Sequence, residues 1–133
     1  MMDAATRVAV RRRAGDRCEY CLIRQEHDLS SLHIEHIAAK QHGGTDDPSN
    51  LALACIHCNL HKGPNVAGID PDTGQVTPLF HPRRDTWADH FALRGPLIVG
   101  LTAVGRTTAY VLAMNAPHQT DLRASLLAQG EFP

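Results

Sequence analysis

An α+β fold is the prediction for this 133-residue chain, and three observations carry it. Between Cys18 and Lys62 the sequence reads as strand, loop, strand and helix, in that order. The same stretch holds all four cysteines, as two C-x-x-C pairs separated by 33 residues. After it, short apolar runs and helical stripes follow one another with no repeat, low-complexity tract or dividing linker. One domain is therefore expected over 1–133, with a core at about 18–63 and a supporting extension of strands and helices at 64–133.

Taken in order, Ala4, Ala5, Val8 and Ala9 recur near helical spacing, and Gly15 stands where a helix can end. Residues 1–17 carry five arginines against two aspartates. Arg11, Arg12 and Arg13 are candidate phosphate contacts, or a solvated basic last turn matched to the helix dipole. Cys18 to Cys21 is a tight knuckle, and residues 22–31 show no period. Leu32 and Ile34 alternate with His33 and Glu35 in a short strand to Ile37, and Ala38 to Asn50, rich in glycine, aspartate, proline and serine, is turn chemistry. Leu51–Ala54 is a second strand and Ile56–Lys62 a short helix stopped by Gly63-Pro64. Further on come a turn at Asp70–Gly74, an edge strand at Val76–Phe80 and a helix capped by Asp85 that carries Trp87 and Phe91. A strand at Leu97–Leu101, a helix from Thr102 to Asn115 and a last helix at Thr120–Gln129 complete the chain.

The formal charge of −1 argues against whole-molecule basicity, while a local basic face stays open. Aromatics are 5% of residues, which argues against base stacking on an aromatic platform. No apolar run approaches the roughly 18 residues that cross a bilayer, and no signal-like segment opens the chain, so a cytosolic protein is expected. In that reducing setting the paired cysteines suit metal better than disulfides. Cys18, Cys21, Cys55 and Cys58 are thus the expected ligands of a structural zinc, whose four thiolates leave no open position for chemistry.

Glu35, His36, Asn50 and Asn59 have the residue types of a second centre, a one-metal phosphodiesterase. That chemistry needs a hard divalent cation with positions left for phosphate and water, and a base of near-neutral pKa, which an imidazole supplies. Asn59 and His61 are alternative ligands on the short helix. At about 100° per residue they point about 200° apart, which favours Asn59 and leaves His61 as fallback. His61 also lines up with His57 at i, i+4, as a metal pair or a solvent-facing pair. Neighbours in a regular strand face opposite ways, so Glu35 and His36 serve one ion only if the strand twists or ends there. His33, on the Glu35 face, is a further fallback.

The pattern C-x-x-C, Glu35-His36-Ile37, Gly43-Gly44, Asn50-Leu51 and C-x-x-C-Asn59-x-x-Lys62-Gly63 resembles the HNH endonucleases, ββα-metal, treble-clef-like nucleases with a structural zinc. The resemblance covers about Cys18 to Gly63, and Leu79-Phe80-His81-Pro82-Arg83 is similar to extended bacterial members. It implies that His36 is the general base and that Asn50 fixes the loop orienting it. Glu35 stands where the family more often has a metal-binding Asp, and Asn59 where many members have a metal-binding His, an H-N-N-like variant. Lys62 is a candidate phosphate contact, or simply a cation suited to the helix C-terminus, and Mg²⁺ or another divalent cation such as Mn²⁺ or Ni²⁺ is the expected catalytic ion.

The function this implies is metal-dependent hydrolysis of DNA phosphodiester bonds, nicking or cutting with low sequence selectivity and leaving a 3′-hydroxyl and a 5′-phosphate. A non-catalytic zinc module that binds nucleic acid or protein is the alternative, and a toxin-like nuclease with an immunity protein is a third reading. DNA is the expected partner, and a homodimer would allow both strands to be cut. The low net charge points to weak autonomous binding of duplex.

Overall fold

The computed structural model describes residues 2–133, which divide into two compact units. The first comprises the chain up to Val66 together with His81–Arg84, and the second comprises Ala67–Phe80 and Asp85–Pro133. No helix among the described residues is long and apolar enough to cross a membrane.

In the first unit, α1 (Ala4–Ala14) starts at Asp3, whose carboxylate accepts from the Thr6 N–H at 2.7 Å. It ends at Gly15, whose φ of +65° is a left-handed cap that glycine adopts without a Cβ penalty. The last turn is the docking end of this helix. Arg11 donates to the Leu32 carbonyl at 2.8 Å, and Arg13 donates to those of Pro48 and Leu51 at 3.0 and 2.7 Å. Two strands, β1 (His33–His36) and β2 (Leu51–Ala54), pair antiparallel, with Glu35 opposite Ala52 and His36 opposite Leu51. Every residue of β2 is buried, so this apolar strand is the centre of the unit. Cys55 caps α2 (Ile56–Lys62), whose end is Gly63. The expected strand, loop, strand and helix are all present.

The second unit opens on a hairpin of β3 (Ala67–Ile69) and β4 (Val76–Pro78), closed by the expected turn at Asp70. Asp70 is fully buried; its carboxylate takes two hydrogen bonds from Arg106 at 3.1 and 2.9 Å and one from the Asp72 N–H at 3.0 Å. Trp87 begins a single helical turn, α3 (Trp87–His90), capped at Thr86 and not at Asp85 as expected. Phe91 leaves that turn to start β5 (Phe91–Arg94), which pairs antiparallel with β6 (Leu97–Gly100). Gly100 has a packing reason: a Cβ there would stand 2.3 Å from the Arg106 nitrogen. Next come α4 (Ala103–Val111), capped by the Thr102 hydroxyl, and α5 (Pro117–Ala128), which starts three residues before the expected Thr120 with proline in its first turn. Phe91, Ile98, Leu112, Met114 and Leu126 form the buried apolar interior.

Candidate active site and metal centre

The two C-x-x-C knuckles converge. One atom from each of Cys18, Cys21, Cys55 and Cys58 lies within 4.8 Å of all the others, and all four side chains are buried and free of disulfides. The Cys21 and Cys55 sulfurs are 3.6 Å apart. Zinc–sulfur bonds of about 2.3 Å in a tetrahedron put sulfurs about 3.8 Å apart, so the donor set fits zinc. Each knuckle is prefolded by its own backbone. The Cys21 N–H points at the Cys18 sulfur and the Cys58 N–H at the Cys55 sulfur, at 3.5 and 3.4 Å. Four thiols this close cannot all ionise without a cation: beside Cys18, the Cys21 and Cys58 thiols are pushed well up.

Adjoining β1, residues 38–50 form a loop held by one side chain. Asn50 accepts from the Ala38 N–H at 2.9 Å and donates to the carbonyls of Ala38 and Thr45 at 3.1 and 2.9 Å. Gly44 is needed at the same spot, because a Cβ there would stand 1.7 Å from the Ala38 oxygen. The loop carries Asp46 to His36, whose Nε2 lies 2.7 Å from the Asp46 carboxylate. That hydrogen bond, with Lys40 at 3.4 Å, pulls the Asp46 carboxyl down to about 2. Asp46 was expected only as part of a turn; nothing in its sequence position set it apart from Asp47.

Glu35 faces the other way, into the protein, where it is 5% exposed. Tyr20, from the first cysteine knuckle, donates its hydroxyl to one carboxylate oxygen, and the Lys62 ammonium lies 3.2 Å from the other. Lys62 also donates to the carbonyls of Ile37 and His36, at 2.9 and 3.4 Å. Burial raises the Glu35 carboxyl above its ordinary value, while Lys62 and Tyr20 pull it back. Lys62, expected at phosphate or as a cation suited to the helix end, is turned to these protein groups. At 1% exposure its ammonium is held by three protein oxygens, those of Glu35, Ile37 and His36.

An open cleft of about 500 Å³ is lined by residues that include Glu35, His36, Lys40, Asn59 and Gly63, with the Glu35 carboxylate itself turned to Tyr20 and Lys62. His61 is not among the residues lining it. Its Nδ1 instead donates to the His57 carbonyl at 2.8 Å, and the two rings lie tilted at 35° with centroids 4.1 Å apart. Neither His57 nor His61 lines the cleft, and the His61 Nδ1 is engaged by the backbone of its own helix. His33 is exposed at the start of β1. Of the three expected phosphate contacts on α1, Arg11 and Arg13 clamp backbone carbonyls, and Arg12 is exposed. A second depression of about 750 Å³ is lined by Arg12, Arg13, Arg17 and Arg24 together with Asp16 and Glu26.

Apart from the cysteines, no group of three or more His, Cys, Asp or Glu among the described residues could hold a metal ion. At the cleft, the oxygen types fit a hard cation, with one carboxylate and one carboxamide. Glu35 can join such an ion only by giving up Lys62.

Residues 18–65 match the family model described as HNH endonuclease. No curated protein and no solved structure matches the chain. The match begins at the first zinc-type cysteine and ends just past α2, so it spans the cysteine cluster, the strand pair, the Asn50 loop and the cleft residues. Residues 18–65 are thus similar to the HNH endonucleases, in an α+β arrangement around a four-cysteine, zinc-type site.

Proposed function

We propose that the protein is a metal-dependent endonuclease that hydrolyses DNA phosphodiester bonds with low sequence selectivity. The observation that carries this reading is that His36, Glu35 and Asn59 line one open cleft, beside a loop pinned by Asn50. His36 is the proposed general base. It takes a proton from water as the water oxygen bonds to phosphorus and the bond from phosphorus to the 3′ oxygen breaks. Glu35, after release from Lys62, and Asn59 are the proposed oxygen donors to a divalent cation, which when bound stabilises charge on the scissile phosphate. Asn50 holds the loop, and the exposed Arg12 is left as a candidate contact to the DNA backbone. We also propose that residues 1–133 work as a single nuclease domain, since His81–Arg84 return to the first unit in mid-sequence.

The test is supercoiled plasmid incubated with purified protein and Mg²⁺, Mn²⁺ or Ni²⁺. Wild type is expected to nick it, and His36→Ala to lose about 10²- to 10⁴-fold of the rate, the usual share of a general base, with zinc content unchanged. Undiminished cleavage by that variant would remove His36 from the mechanism. The Glu35–Lys62 pair favours one other reading, a zinc module that binds nucleic acid or protein without chemistry. It predicts no cleavage with any of the three ions, and binding that survives loss of Glu35 and His36.

A further inference from the structure

We infer that Asp46 is a positioning residue for His36: its carboxylate fixes the imidazole with Nε2 protonated and leaves Nδ1 as the lone-pair nitrogen for the cleft. The inference rests on the proposed role of His36, and its geometric half can be tested without any activity. A carboxylate only accepts, so the 2.7 Å contact to Nε2 means that Nε2 carries the hydrogen. In a neutral imidazole the other nitrogen then holds the lone pair. His36 lines the cleft and Asp46 does not, so the carboxylate grips the ring without occupying the space where water and phosphate would sit.

Three features keep Asp46 suited to this. Lys40 lies 3.4 Å from the same carboxylate oxygen and favours the ionised form. The loop carrying Asp46 is pinned next door, where Thr45 gives its carbonyl to Asn50. The side chains of His36 and Asp46 are 25% and 28% exposed, so most of their surface is shielded from competing water. Asn50 thus orients the base in two steps: it sets the loop, and the loop delivers the carboxylate.

The experiment uses full-length, zinc-loaded protein labelled with ¹⁵N-histidine. A downfield, slowly exchanging Nε2–H signal is expected in wild type and absent in His36→Ala, which assigns it. It should vanish in Asp46→Ala and return in Asp46→Glu. On plasmid, Asp46→Ala is expected to lower kcat about 10- to 100-fold, as for other carboxylates that orient functional imidazoles, with KM little changed. Asp46→Glu should recover part of that loss. Asp46→Ala should cost nothing further in a His36→Ala background, because the carboxylate acts only through the ring. A signal missing from wild type, or surviving in Asp46→Ala, would overturn the contact. Losses that multiply in the double variant would overturn the positioning role. Full activity in His36→Ala would sink the proposed function, while the signal would still decide the contact.

Discussion

The Lys62 ammonium lies 3.2 Å from the Glu35 carboxylate, and the two side chains are 2% and 4% exposed. A buried pair of this kind adds little over an apolar replacement, but removing one partner strands a charge in a medium that solvates it poorly. Lys62→Met is therefore expected to destabilise the protein by about 3–5 kcal/mol, seen as a lower urea midpoint. Adding Glu35→Gln to that variant should recover much of the loss, because the amide carries no charge to strand. A double variant as unstable as Lys62→Met alone would mean that the ammonium's bonds to the carbonyls of Ile37 and His36 matter more than the ion pair.

The cysteine cluster should hold the first unit together. Structural zinc contributes an apparent ~10–16 kcal/mol, as much as the whole net stability of an ordinary domain. Tyr20 sits between Cys18 and Cys21 and donates to Glu35, so loss of the ion would also release the acid at the cleft. Cys58→Ala, or a strong chelator, is expected to remove bound zinc and collapse the amide dispersion of residues 18–63. Metal analysis beside a ¹H–¹⁵N spectrum checks it, and dispersed amides in zinc-free protein would contradict it.

Much of the first unit was legible because its signals are local. Two C-x-x-C pairs, an alternating Leu32–Ile37 run and a glycine-rich loop each report on their own few residues. The Glu35–Lys62 contact was not legible, since lysine is almost never fully buried and its partner lies 27 positions away, with Tyr20 supplying the third member. In the second unit, Trp87 and Phe91 sit at i, i+4 and imitate a helical stripe, yet the helix stops at His90 and Phe91 opens a strand. The strand Ala67–Ile69 was missed for the opposite reason. Its middle residue, Gly68, has no strand preference and is set by packing, since a Cβ there would stand 2.6 Å from a Val111 methyl.

Acid should act on the second unit through Asp70. Arg106, its main hydrogen-bond partner, holds the carboxyl down to about 2, below the roughly 3.9 of an unfolded chain. A carboxyl depressed by folding contributes stability that is complete above the unfolded value and is lost as pH falls through the folded one. The urea midpoint followed by Trp87, the single tryptophan, should thus fall between about pH 4 and pH 2. Arg106→Gln should lower the midpoint at neutral pH and flatten that acid slope. An unchanged slope in this variant would mean that Arg106 is not what holds the Asp70 carboxyl down.

Asn50 is the residue on which the fold and the proposed chemistry depend together. Its carboxamide makes three bonds, two of them to the carbonyls of Ala38 and Thr45, and it does so where Gly44 presses against the Ala38 carbonyl. Asn50→Ala leaves those groups to water or to nothing, at a cost of about 1–3 kcal/mol. The larger effect should be on cleavage. The loop brings Asp46 to His36, and a base displaced by about 1 Å can lose on the order of 10²-fold in rate. Asn50→Asp keeps an acceptor for the Ala38 N–H but sets a charge against the Ala38 and Thr45 carbonyls, so it should be as inactive as Asn50→Ala while keeping its zinc. The His36 Nε2–H signal should broaden or disappear in both variants. Cleavage at the wild-type rate in either one would mean that the loop finds its place without Asn50.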